Sequence, residues 1–391
     1  MMMTIVIPWY GPDTAGGAEA QARQLAQAIH AQGSPIEVWT SVGRDSYAPS
    51  TQAYYPLGQS ELDGIRVRRF PISPPGSHGI PQLLARRQYL VPPAWTQFPR
   101  HELDLLSSLV SSQELLEAIH QESQNRRFIF MPYAFPTSFW GVAILGGHAT
   151  LLPCLHDEPY AYYSSYRWMF QHAGRMLANS PAEAALAQRL YGLPSEKIVQ
   201  AGEGIDLSPQ GNGARFRQQR GLRGPLLLYT GVRKGKNAEL LLRYTREYWA
   251  RRGGPLTLML TGRDLPAIPE ALSELVLDLG YLSVQEKNDA YAAADVFITP
   301  STIESFSIAL MEAWLQGTAA LVNAACAVTR EAAERSGAGL SFASFAEFAA
   351  ALDLLLADAQ LRQELGSRGR AWVLENCRWE DVARRTIAAV T

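Results

Sequence analysis

The sequence predicts an α/β protein made of two doubly wound, parallel-sheet domains facing each other across a cleft. Three observations carry that expectation. Short β-branched runs alternate with helix-period apolar patterns, the alternation starts afresh at Pro225, and a glycine- and arginine-rich stretch separates the two series. The 391-residue length agrees, since about 150 residues per domain gives two or three.

Residues 4–8 read as the first strand, followed by the loop WYGPDTAGG and a helix with Ala18, Ala22, Leu25, Ala26 and Ile29 on one face. Gly33 closes that helix and residues 36–40 form the next strand, a βαβ opening that calls for a parallel sheet. Apolar runs at 127–131, 149–155, 175–178 and 197–200 complete a first domain over 1–203. Residues 47–100 show no clear period and read as a long excursion from a sheet edge. Their basic and aromatic side chains, Arg86, Arg87, Tyr89, Trp95, Phe98 and Arg100, suit an anionic acceptor or a lipid surface, and loop packing explains them equally well.

Residues 201–224 have the composition of a linker. Strands at 225–230, 256–261, 295–299 and 319–323 then alternate with helices at 238–252, 284–293 and 307–316, giving a second domain over 204–375. Residues 376–391 form a carboxy-terminal helix, with a return to the first domain as one option. Such folds bind ligands beyond the carboxyl ends of their strands.

Composition excludes several classes of function. The 35 basic and 37 acidic residues nearly cancel, so no overall field exists to hold nucleic acid, and any anion site is local. Cys154, Cys326 and Cys377 lie far apart, which indicates neither a disulfide framework nor a zinc cluster and fits a reducing cytoplasm. The apolar run at the start is too short for a secretory signal, and no run of about 18 apolar residues marks a membrane span. The expected location is the cytoplasm, with peripheral contact at the inner membrane face as the alternative.

The chemistry concentrates in PSTIESFSIALMEAWLQGTAALVN, residues 300–323. Glu304 sits in the turn after a strand, and Glu312 follows eight positions later on a largely apolar helix, where a buried glutamate needs a partner. Ser305, Phe306 and Ser307 can offer backbone N–H groups to phosphate oxygens. Glu312 can accept from vicinal hydroxyls such as those of a ribose, and Glu304 from those of a sugar. This run resembles the E-x7-E signature of the retaining glycosyltransferases of family 4, whose GT-B fold pairs two Rossmann-like domains.

The resemblance implies roles for further positions. Gly16-Gly17-Ala18-Glu19 is similar to the family's G-G-A-E loop, which lies against the donor diphosphate, with Glu19 on the acceptor side. Residues 154–158, CLHDE, resemble the strand-end segment near the transferred sugar, implying a catalytic role for His156 and acceptor contact for Asp157. Residues 229–237, YTGVRKGKN, resemble the loop whose arginine and lysine neutralise the leaving diphosphate. Lys236 carries over because Asn237 follows it. The spacing is one residue short and Val232 stands where arginine is usual, so Arg233 and Lys234 both remain candidates. Gly262-Arg263 and Gly280-Tyr281-Leu282 occupy the strand ends that receive the nucleobase.

The implied activity is transfer of a hexosyl unit, with retention, from a UDP-glucose or GDP-mannose type donor to a glycan, lipid-linked or small-molecule acceptor. No cofactor beyond that co-substrate is expected. The sequence has no D-x-D, H-x-H or H-E-x-x-H, so no visible ligand set requires a metal, and Lys236, Arg233 and the helix opening near Ser305 take its place. A GT-B epimerase and a non-catalytic nucleotide-sugar-binding protein are the alternatives.

Overall fold

The computed structural model describes residues 1–74, 98–232, 236–263 and 265–391, which divide into two units: Met1–Gly204 with Trp379–Thr391, and Ile205–Arg378. The first unit holds β1 (Met2–Val6), β2 (Ile36–Ser41), β3 (Gly58–Leu62), β4 (Ile65–Phe70), β5 (Arg126–Phe130), β6 (Thr150–Leu151), β7 (Arg175–Ala178) and β8 (Ile198–Gln200). Among the described residues they form one sheet in the order β3-β4-β2-β1-β5-β6-β7-β8, parallel except for β3 against β4. The strand order turns back between β1 and β5, so the loops leaving these two strands flank the sheet's switch point.

Side-chain alternation explains why helices cover both faces of this sheet. Phe128 and Phe130 of β5 enter a core with Leu115, Ile119 and Phe139, whereas Ile129 enters the opposite core with Ile5, Leu25 and Ile29. That second core is completed from the far end of the chain. Val382, Ala383 and Val390 of the helix Trp379–Val390 pack beside Ala22, Leu25 and Ile29 of the helix Gly17–Ala31. The Trp379 indole N–H donates to Gln24 Oε1 at 2.7 Å, and Arg385 Nε donates to the Ala201 carbonyl at 2.8 Å.

The stretch 47–100 differs from its sequence reading, for it contains the hairpin β3–β4. Asp63 and Gly64 turn between the strands at φ values of 51° and 77°, the backbone sign that two-residue hairpins require. Phe98 packs edge-on against Phe139 and Trp168, which is loop packing. Arg100 opens the helix Arg100–Ser108, and Arg86, Arg87, Tyr89 and Trp95 lie outside the described residues.

The second unit holds β9 (Leu226–Val232), β10 (Thr257–Gly262), β11 (Val276–Asp278), β12 (Val296–Thr299), β13 (Ala319–Asn323) and β14 (Gly339–Phe342). All pair in parallel, in the order β11-β10-β9-β12-β13-β14, with the switch point between β9 and β12. The 201–224 segment is no simple linker, because it carries the helix Gly213–Arg220, capped by the Asn212 side chain. Phe216 is buried, and Arg215 pairs with Asp289 on the helix Val284–Ala293. A Cβ on Gly211 or Gly213 would lie 2.0 or 2.3 Å from carbonyl oxygens of that helix region. Gly211 and Gly213 are therefore there for close packing.

Candidate functional site

In the second unit the loops leaving β9 and β12 bring Lys236 and Glu304 together. Lys236 Nζ lies 2.8 Å from Glu304 Oε1 and donates to the Ile303 carbonyl at 2.7 Å. The loops themselves are pinned by side-chain amides. Asn237 Nδ2 and Asn323 Nδ2 both donate to the Pro300 carbonyl, at 3.1 and 3.0 Å, and the Tyr229 hydroxyl donates to the Lys236 carbonyl. Both charged side chains are mostly covered, at 12% exposure for Lys236 and 16% for Glu304, so their attraction is screened less than that of a surface pair.

The chain then turns into the helix Ile308–Leu315 through Ser307, which is left-handed at φ 76° and makes no side-chain cap bond. The opening of this helix therefore has backbone N–H groups that its cap residue leaves unbonded. Phe306 has only its backbone to offer at this opening, since its ring is buried in the core.

Glu312, one face further along that helix, has partners that the sequence reading called for without naming. Lys287 Nζ donates to Glu312 Oε1 at 2.6 Å and the Tyr291 hydroxyl to Oε2 at 3.0 Å, while Thr230 Oγ1 lies 2.6 Å from the Tyr291 hydroxyl. Lys287 and Tyr291 sit four apart on the helix Val284–Ala293, a spacing that places both on one face, and that was the available signal. Burial raises the Tyr291 hydroxyl well above its ordinary range, with the Glu312 charge adding to it, so this phenol stays a neutral donor.

At the carboxyl ends of β10 and β11 an open depression of about 680 Å³ is lined by Gly262, Arg263, Leu265, Asp278, Gly280 and Tyr281. Gly280, at φ 62°, is held in place from three sides. Its carbonyl accepts from Gly262 N and Thr261 Oγ1, and its N–H donates to Asp278 Oδ1 at 2.7 Å. Tyr281 is 74% exposed, and its ring carries the Arg263 guanidinium 4.9 Å from its centroid. Leu282 is not at this surface, since its side chain is buried in the core. Arg233 and Lys234 lie outside the described residues.

In the first unit the carboxyl ends of the strands gather the other predicted residues. Gly16 precedes the helix Gly17–Ala31 at φ 141°, and a Cβ there would meet Glu19 Oε2 at 1.8 Å, so the Glu19 carboxylate folds back over the helix opening. At Gly17 an added Cβ would meet nothing within 4 Å. His156 Nδ1 faces Glu158 Oε1 at 3.6 Å, and the Tyr133 hydroxyl donates to the same oxygen at 2.9 Å. Burial pushes the Glu158 carboxyl up, but the His156 imidazole beside it and the Tyr160 and Tyr133 hydroxyls outweigh it and hold the group below its usual range. Asp157 is engaged by Arg189 Nη2 and the Tyr162 hydroxyl, both at 2.7 Å.

Beneath the His156 loop lies Glu183, which sequence reasoning missed. It is fully buried, and its two oxygens accept from Leu155 N and Asn179 N, each at 2.5 Å, which ties the segments after β6 and β7 together. Burial nevertheless pushes its carboxyl up to about 8. The signal was Ser180 three residues earlier, whose hydroxyl accepts from Glu183 N as a helix cap.

Two family profiles match consecutive parts of the chain. "Glycosyl transferase 4-like domain" covers residues 16–204 and "Glycosyl transferases group 1" covers residues 215–372. The chain belongs to the group 1 glycosyl transferases. This glycosyltransferase is 24% identical over 411 residues to the D-inositol 3-phosphate glycosyltransferase of Arthrobacter sp. (strain FB24), covering 96% of this chain and 90% of that one. Its fold is that of GT-B glycosyltransferases. Sucrose-phosphate synthase from Thermosynechococcus elongatus matches with a TM-score of 0.71 at 18% identity, over 99% of this chain and 98% of that one. Anabaena Alr3699/HepE, solved with UDP and glucose, matches with a TM-score of 0.69 at 17% identity, over 99% and 98%. Among the described residues of the glycosyltransferase, no three His, Cys, Asp or Glu side chains gather as a metal-ligand set, and no helix is long and apolar enough to cross a membrane.

Proposed function

We propose that this glycosyltransferase moves a hexosyl unit, with retention and without a metal ion, from a nucleoside-diphosphate sugar to a glycan, lipid-linked or small-molecule acceptor. The observation that carries the reading is the meeting of Lys236 and Glu304 beside the uncapped opening of the helix Ile308–Leu315. A departing diphosphate needs neutralising charge and N–H donors, and this corner supplies both. In this reading Glu304 accepts from hydroxyls of the transferred sugar, Glu312 from the ribose, and the depression around Gly262, Arg263 and Tyr281 receives the base. Leu282 contributes through its main chain. Relatives of this fold solved with UDP and glucose support the donor class.

For the first unit the reading rests on the resemblance alone, which assigns His156 to the transferred sugar, Gly16 and Gly17 to the diphosphate, and Glu19 and Asp157 to the acceptor. By the resemblance, Arg233 or Lys234 supplies a second cation to the leaving group. The bond between sugar C1 and the phosphate oxygen breaks and its electron pair stays on the diphosphate. The acceptor hydroxyl oxygen bonds to C1 on the same face, and its proton passes to the departing phosphate oxygen. Lys236 lowers the energy of that anion as it forms. No enzyme nucleophile takes part.

A thermal-shift panel of UDP- and GDP-sugars tests the donor, because a ligand that binds only the folded state raises the melting temperature. The true donor shifts the transition, releases nucleoside diphosphate when acceptor is added, and yields a product with the donor's anomeric configuration by NMR. Inversion in the product refutes the same-face step. A panel with no shift and no release refutes the donor assignment.

A further inference from the structure

We propose that Lys287 is a positioning residue for the donor ribose: with Tyr291 it fixes the Glu312 carboxylate so that its remaining lone pairs meet two vicinal hydroxyls. The inference rests on the assignment of Glu312 to the ribose made above.

Proton accounting around Glu312 leaves little freedom. A phenol has one hydrogen, and the Tyr291 hydroxyl gives it to Glu312 Oε2 at 3.0 Å. The Thr230 hydroxyl, 2.6 Å from that phenol oxygen, must then be the donor to Tyr291. Lys287 takes one lone pair of Oε1 at 2.6 Å. Four lone-pair directions on the carboxylate thus become two, one on each oxygen, and both can only accept. Two adjacent hydroxyl donors of a ribose match those two directions, whereas a 2′-deoxyribose meets only one.

Rigidity is the second part of the argument. A glutamate on a helix has three torsions to immobilise, and doing so when the ligand arrives weakens binding. Here three separate elements, β9, the helix Val284–Ala293 and the helix Ile308–Leu315, hold the side chain beforehand. Tyr291 alone would let the carboxylate pivot about one hydrogen bond. Lys287 supplies the second anchor, at 2.6 Å from Oε1. Its own side chain is 31% exposed and that of Glu312 21%, so neutralising Lys287 leaves a partly solvated carboxylate and not a sealed, unpaired one.

The test measures the Kd of UDP, GDP and their 2′-deoxy counterparts by calorimetry on the full chain. The variants are Lys287→Met, Lys287→Gln, Lys287→Arg and Glu312→Gln, each checked by thermal melting. The nucleotide that binds wild type is expected to bind Lys287→Met and Lys287→Gln roughly tenfold more weakly, the scale of one charge-assisted hydrogen bond. The preference for ribose over deoxyribose should shrink in both, and Lys287→Arg should restore it. A lysine that only braced the fold would lower the melting temperature without changing that preference. Wild-type Kd and preference in folded Lys287→Met, alongside their loss in Glu312→Gln, overturns the role of Lys287 alone. Wild-type behaviour in Glu312→Gln overturns the ribose assignment and this inference with it.

Discussion

Replacing Lys236 by methionine keeps the aliphatic stem and removes two donors, one to Glu304 Oε1 at 2.8 Å and one to the Ile303 carbonyl at 2.7 Å. Each hydrogen bond to a charged group contributes about 1.5–3 kcal/mol, but Glu304 at 16% exposure recovers some hydration, so the expected stability loss is about 1–3 kcal/mol. For a domain of this size that is a fall in melting temperature of about 2–9 °C. The effect on turnover should be larger, about 10²–10³-fold, because in the reaction the ammonium faces a charge that grows as the diphosphate departs. The assay is nucleoside-diphosphate release at saturating donor and acceptor, with the melting curve recorded on the same preparation. A variant that melts lower yet turns over within about threefold of wild type would show Lys236 to be a structural cation only, and the leaving-group argument would fall.

Two further outcomes are expected. Glu183, raised from 4.5 to about 8 in the folded state, binds more protons folded than unfolded between those values. Its contribution to stability is therefore fully present below pH 4.5 and is lost as pH rises through 8, on the order of a few kcal/mol at about 1.4 kcal/mol per pH unit. Melting temperatures from pH 5 to 9 should fall more steeply in wild type than in Glu183→Gln, and parallel slopes would contradict the assignment. Turnover in EDTA is expected to match turnover in Mg²⁺, and complete loss reversed by added Mg²⁺ would overturn the metal-free reading.

How far the sequence reveals the site depends on which interactions are local. The helices 238–252 and 284–293 have the bounds their periodicity implies, because a helix face is written within one segment. The β3–β4 hairpin went unread although Asp63-Gly64 marks its turn, since flanking polar residues on an edge strand blur the alternation. Lys236 and Glu304 were legible one at a time from motif spacing, but their contact, 68 positions apart, is set by β9 and β12 lying side by side in the sheet. Lys287, Tyr291 and Glu183 stayed hidden for the same reason. Each acts through a partner from another element, and the spacing of Lys287 and Tyr291 puts them on one helix face without saying what that face meets.

The helix Trp379–Val390 has a consequence for how the protein is made. Ala22, Leu25 and Ile29 wait for a cover that translation delivers only after residues 205–378 have been synthesised. Until then the nascent amino-terminal half presents a greasy seam to solvent, open to holdase chaperones or premature self-association. Trimming residues 379–391 should accordingly harm the half of the molecule that is farthest away in sequence.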